Sequence, residues 1–370
     1  ALAARLRDAV AAARLKDNPP LALPGMPSDG DPSVATYVTA LDGDLPALLD
    51  ETAARVQAAV AAESEVRLSS AELYATRSAR GFRNSRGAQS AGRGTRIALD
   101  LVLIAGEGES AAEMHGDFTR RRLADLDIGA IVRLYAAYAR HSRRAVTPAT
   151  HRGPVILSGQ ALANLFHHSL SPLAEDPFHF QASAAAAHRH LSRFTVGAPI
   201  SGDTPRGDRL TLISDPLRSF GVQSYACDRD GLPARALTVI EHGLFTGPWA
   251  DARYAAYIGV VPTGAFANPT VTPGETTLSA LRAADPDEPV YEIAAFSGLD
   301  PDPVSGDFVA EIKLGYRHDA SGTHPIKGGS LAGNAFAAFA DARFSREVYT
   351  DGVYAGPAAI RFAQLTISGD

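Results

Sequence analysis

At 370 residues the chain is long enough to bury one large core or two ordinary ones. Charged residues make up 21% and apolar residues 45%, which excludes disordered and fibrous classes. A net charge of −6 and a pI near 6.0 argue against a nucleic-acid partner, whose phosphates call for a basic domain or stripe. The single cysteine, Cys227, rules out an internal disulfide framework and makes a cytoplasmic location the expectation. No run approaches the ~20 apolar residues that cross a bilayer. The chain opens without methionine, inside a helical pattern, so a preceding natural segment is expected.

In chain order, Leu2, Leu6, Val10 and Ala13 predict a first helix, and Asn18–Pro32 a Pro/Gly/Asp-rich loop. Leu49, Ala53, Val56 and Val60 share one face of a second helix, Pro46–Ala62. Two strands, Glu65–Ser78 and Thr95–Ala105, form a long hairpin across a Gly/Ser/Asn/Arg-rich segment. A third helix, Ile128–Ser142, leads to a polar link, Ala145–Pro154. The link divides the chain into an α+β unit, residues 1–150, and a β-rich antiparallel unit, residues 151–370. In the second unit Pro154–Leu157 reads as a strand, and Ser158 caps a helix to about His168. Short strands then follow one another between Gly, Pro and Asp turns, interrupted by a late helix, Gly333–Phe344.

Six of the eleven histidines lie within forty residues: His151, His167, His168, His179, His188 and His190. Neutral imidazole is the commonest protein ligand for zinc, yet there is no HExxH and no acid placed as a third ligand. His188 and His190, if on a strand, would point the same way, which permits chelation; polar loop histidines explain the cluster more simply. Arg77, Arg80, Arg83, Arg86, Arg93 and Arg96 crowd the hairpin with only Tyr74 and Phe82 as aromatics. That composition fits a solvated tip, or a contact with an acidic partner, better than base stacking. Lys327-Gly328-Gly329-Ser330 has its lysine before the glycines and so is no phosphate loop. Cys227 stands near Asp228 and Asp230, a poor setting for a thiolate nucleophile.

The blocks of the second unit resemble the TldD/PmbA family, whose members include the modulators of DNA gyrase. The similarity is densest in Ser305-Gly306-Asp307-Phe308, Glu311–Tyr316 and His324–Asn334. Leu210–Pro216, Asp228–Pro233, Ile240–Leu244 and Pro262–Gly264 follow the family order, and Asn84-Ser85-Arg86-Gly87 matches its hairpin. The resemblance implies a two-domain α+β fold. It also makes Gly306, Asp307, Phe308, Gly328, Gly329, Ser330 and Asn334 substrate-path or structural positions.

The family's active branch resembles a zinc peptidase with an HExxxH helix and a cysteine ligand near the C-terminus. Here Leu165–Pro172 stands at that helix end: His167 holds the first ligand position, His168 replaces the base and Pro172 the second histidine. Asp351–Gly356, where the thiolate would be, has no cysteine. The resemblance therefore implies the PmbA/TldE type, with no catalytic or metal residue of its own and with zinc in a TldD-like partner. His167, His168 and Pro172 would face a chamber in which small unfolded peptides are degraded or leader peptides matured. A homo-oligomer is a further expected assembly, with no nucleic acid or membrane. The other reading is a stand-alone enzyme or binding protein with a repurposed histidine site in natural-product tailoring.

Overall fold

The computed structural model describes residues 2–15, 21–25, 32–167, 176–202, 205–283 and 288–369. Helix α1 (Leu2–Ala13) forms where its apolar spacing predicts, and buries none of its residues. Helix α2 (Leu45–Ala61) begins at Asp44, whose side chain accepts from Ala47 N–H, with Pro46 in the first turn. It turns Thr52, Val56 and Val60 inward.

Strands β1 (Val66–Arg83) and β2 (Gln89–Ala105) pair down to Arg83 and Gln89, so the hairpin runs well past the predicted strand ends. Asn84 closes its turn by accepting from Arg86 and Ala88 N–H, and Gly87 takes φ +86°. β3 (Ala112–Arg120) completes an antiparallel sheet. Helix α3 (Ile128–Arg144), capped by Asp127, lays Val132, Tyr135, Ala136 and Ala139 on Leu99, Leu101, Leu103 and Met114. Leu314, from the second half, joins that same cluster.

All six arginines of the basic hairpin are exposed, as a solvated tip requires, but some of them also make contacts within the chain. Arg80 donates to the carbonyls of Cys227 and Asp228, and Arg93 pairs with Asp42 and lies over the Tyr37 ring. Gly231, at φ +92°, accepts the Phe82 ring where a side chain would stand: a Cβ there would lie 2.5 Å from Phe82 Cε1. Gly231→Ala should therefore destabilise the chain by about 1–3 kcal/mol, through the left-handed backbone and the displaced ring. Phe82→Ala in the same background should recover part of that loss, read as urea midpoints.

The second half contains strand β4 (His151–Ser158) and short helices α4 (Gly159–Ala163), α5 (Pro177–Gln181) and α6 (Ala184–His188). Strands β5 (Leu212–Ser214), β6 (Leu237–Glu241) and β7 (Leu244–Phe245) precede helix α7 (Ala252–Ile258). β8 (Pro269–Val271) and α8 (Leu278–Arg282) come next. The C-terminal strands are β9 (Val290–Pro301), β10 (Asp307–Asp319), β11 (Gly322–Ile326), β12 (Ser330–Asn334) and β13 (Ala342–Phe344). β14 (Val348–Thr350), β15 (Ala355–Pro357) and β16 (Ala359–Ser368) end the chain. One sheet runs β14-β15-β8-β5-β6-β7.

The other sheet closes on itself. β10 pairs with β12, β12 with β16, β16 with β4, β4 with β9, and β9 with β10. Closure leaves these five strands no open edge along the ring. One face of the ring feeds a single core with Val155, Leu157, Ile293, Phe308, Leu331, Phe362 and Ile367. β4–β9 and β15–β8 are parallel, so this half is β-rich as expected but not wholly antiparallel.

The late helix is absent. Ser330–Asn334 is strand, Ala337–Asp341 one 3₁₀ turn, and Ala342–Phe344 strand again. The alanine-rich sequence favours a helix, but Phe336, Phe339 and Phe344 all have to reach the aromatic core, and pairing of β13 with β16 decides the backbone. The helix predicted to reach His168 is likewise only α4 and a turn to Phe166.

On the outer face of β9, the Glu292 carboxylate is nearly inaccessible and accepts from Arg282 at 2.6 and 2.7 Å and pairs with His318 at 3.0 Å. Burial opposes its ionisation, but the His318 and Arg282 hydrogen bonds outweigh it and draw its pKa down to about 2.

Candidate functional site

The end of α4 and the C-terminal loop, far apart in sequence, meet through stacked rings. Phe166 lies 5.6 Å from Tyr354, with planes 20° apart, and 5.1 Å from Phe178. His167 follows Phe166 directly. Asp351 shapes the loop, its carboxylate accepting from Val353 and Tyr354 N–H, and Arg120 and Arg218 hold the loop's carbonyls. Gly352 packs under β3: a Cβ on it would lie 2.5 Å from the Thr119 carbonyl oxygen. Tyr354 is fully buried and donates to the Pro357 carbonyl, so the loop presents no ligand from this position.

His179, on α5, is the functional-type residue whose placement the sequence did not single out. Its ring stacks on Trp249 at 4.8 Å, and Trp249 Nε1 donates to the His179 carbonyl. Burial among these rings, with the nearby His167 as a second cause, draws its pKa down to about 4, so it is neutral at physiological pH. The signal that could have found it is the aromatic run Phe178-His179-Phe180 after Pro177, which reads as a buried short helix.

The remaining histidines do not gather here. His188 ends α6 against Tyr257, 5.0 Å away, and His190 takes φ +57° in the next turn, so the two are not on a strand and do not point together. His151 begins β4, in a separate cavity. His168 and Pro172 lie outside the described residues. Among the described residues no three of His, Cys, Asp or Glu come together to hold a metal ion, so those residues by themselves do not assemble a three-ligand zinc site.

The glycine and polar positions are built into the ring. Gly306, at φ +80°, lies under the Phe336 ring, and Asn334 donates to Asp307 and the Ser305 carbonyl. Phe308 is buried in the core. Gly328 N–H donates to Ile312; Gly329, also left-handed, touches the Ser368 carbonyl; and Ser330 pairs with Glu311 and Ser368. These contacts give all seven residues structural work at the ring's seams.

The model for the PmbA/TldA metallopeptidase C-terminal domain matches residues 150–369, more than half of the chain. The chain belongs to the PmbA/TldD family. The fold of TldE from Thermococcus kodakarensis superposes with a TM-score of 0.79 at 19% identity, over 96% of this chain and 82% of that one. A candidate modulator of a DNA gyrase from Thermotoga maritima gives 0.78 at 18%, over 94% and 80%. An uncharacterised protein of Methanocaldococcus jannaschii is 24% identical over 266 residues, 70% of this chain. The match spans 60% of that relative's length. This PmbA/TldD chain has the α+β architecture that its motifs imply, and no described helix is long and apolar enough to cross a membrane.

Proposed function

We propose that this chain is the non-catalytic, TldE-like subunit of a two-component zinc metallopeptidase whose metal is held by a TldD-like partner. The observation that carries this reading is the meeting of the α4 end with the C-terminal loop. The two elements that would bring metal ligands together are apposed, yet they meet through Phe166 and Tyr354, and of the family's ligand positions His167 alone keeps its residue. A fold kept whole around a site without its ligands supplies surface in place of chemistry. The surface would help enclose small unfolded peptides, including leader-bearing ones, for degradation or maturation by the partner. Scattered placement of His151, His188 and His190 gives no support to a repurposed histidine site.

Co-expression with a TldD-like chain carrying intact HExxxH tests this directly. The expected result is a stable complex burying more than ~2,000 Å², with about one zinc per partner chain and substoichiometric zinc in this chain purified alone. A monomer that ignores the partner, or one zinc per isolated chain, would overturn it.

A further inference from the structure

A cavity of about 860 Å³ lies between the distal half of the β1–β2 hairpin, the 32–37 segment and the 224–227 turn. The hairpin forms its floor. Ser78 opposite Gly94, Arg80 opposite Gly92 and Phe82 opposite Ser90 all face the same side of the paired strands. At about 3.4 Å per residue the floor from Ser78 to Phe82 is about 14 Å long. Gly92 is the open point in it: a Cβ there would meet nothing within 4 Å. Glycine inside a strand, with space above it, lets another backbone approach closely.

Three arginines line the cavity, and none of its described lining residues is Asp or Glu. Arg93 is already paired with Asp42. Arg121 gives its N–H groups to backbone carbonyls, among them those of Gly221 and Val222, so its charge meets only neutral partners. Arg80 is exposed and gives one N–H each to the Cys227 and Asp228 carbonyls, which leaves part of its five-donor fork open. The Asp228 carboxylate is taken up by the Asp230 and Leu232 N–H groups of its own turn. Arg80 and Arg121 thus stand at the trough without a carboxylate partner among the described residues.

An open guanidinium fork beside a shallow, small-residue floor fits a carboxylate carried on an extended chain. We propose that this groove binds an extended acidic peptide, whose backbone lies over the Gly92 floor and whose carboxylate is taken by Arg80. A nucleic acid would need a row of free stacking rings and free cations, whereas Arg93 is paired and covers the Tyr37 ring at 3.6 Å. The site is independent of the subunit reading above: it uses no residue at the α4 end, and its binding is measured on this chain alone.

Isothermal titration calorimetry of the full chain with three pentapeptides is the test. Acetyl-Ala-Ala-Glu-Ala-Ala amide offers a side-chain carboxylate, its Gln analogue offers none, and the Gln analogue with a free C-terminus offers a terminal one. The expected result is saturable binding of a carboxylate peptide, at least about tenfold tighter than the neutral one at low salt. Which of the two binds tighter tells an acidic side chain from a polypeptide C-terminus. Gly92→Leu fills the open floor without a left-handed backbone to strain. It should weaken binding at least about tenfold, with the thermal midpoint retained. Arg80→Met should remove the preference for the acidic over the neutral peptide, a readout that lost packing alone would not move. Equal binding of the neutral peptide, unchanged affinity in Gly92→Leu, or no saturable binding would each overturn the proposal. So would tighter binding of a thymidine octanucleotide that Gly92→Leu blocks, which would make the groove a nucleic-acid site.

Discussion

Arg282→Met should lower the stability of the folded chain by about 3–5 kcal/mol, measured as unfolding free energy in urea at pH 7. The guanidinium donates twice to Glu292, whose carboxylate is almost wholly withdrawn from water. Removing it leaves a buried carboxylate with only His318 and the Ser158 hydroxyl, which places the loss nearer the lower bound. Arg282→Met with Glu292→Leu should recover much of the loss, since removing both partners leaves no stranded charge. A double variant no better than the single one would show that packing of α8, and not the ion pair, is what Arg282 provides. The same site sets an acid limit. Glu292 has its pKa depressed in the folded state from 4.5 to about 2, so its contribution is fully present above 4.5 and is lost as pH falls toward 2. The span is worth about 3 kcal/mol and should shrink in the single variant, whose carboxylate titrates higher.

Mixing this chain with a TldD-like partner should raise chelator-sensitive hydrolysis of an unfolded peptide by about 100-fold or more over either chain alone. On the proposed reading the partner holds the metal and its bound water, and this chain completes the wall around the substrate. His167→Ala in this chain should leave zinc in the partner unchanged and cost less than about tenfold in rate, because the residue would touch the chamber and not the metal. A total loss of activity in that variant, with the complex intact, would place His167 in the chemistry. Activity of this chain alone, sensitive to chelator, would sink the subunit reading.

Local signals in the sequence were sufficient wherever an element's own side chains decide its form. The 3.6-residue apolar spacing placed α1 and α2, and Asn84 with Gly87 marked the hairpin turn. They failed where distant strands decide. Nothing local in Gly333–Phe344 announces that Ala342–Phe344 will pair with β16, or that Phe336 and Phe339 belong to an aromatic core. Ring closure by β9 and β10 is equally non-local, for each strand alone reads as one more short β segment. At the site, motif order located the α4 end and the 351–356 loop, whereas their apposition through Phe166 and Tyr354, and the burial of His179 on Trp249, depend on packing that no spacing encodes.

The ring of strands has a consequence for the order in which the protein can be made. β16 lies between β12 and β4 and is synthesised after both. About 200 residues separate the end of β4 at Ser158 from the start of β16 at Ala359. At roughly 5–20 residues per second the ribosome takes about 10–40 s to cover that distance. Throughout that time β4 has made its hydrogen bonds on one side at most. A nascent chain stalled before Ala359 therefore carries two unpaired strand edges, β4 and β12, each a template for another chain. Termination before Ala359 should yield aggregates and not a shortened soluble protein, and holding such chains apart is work for a ribosome-associated chaperone.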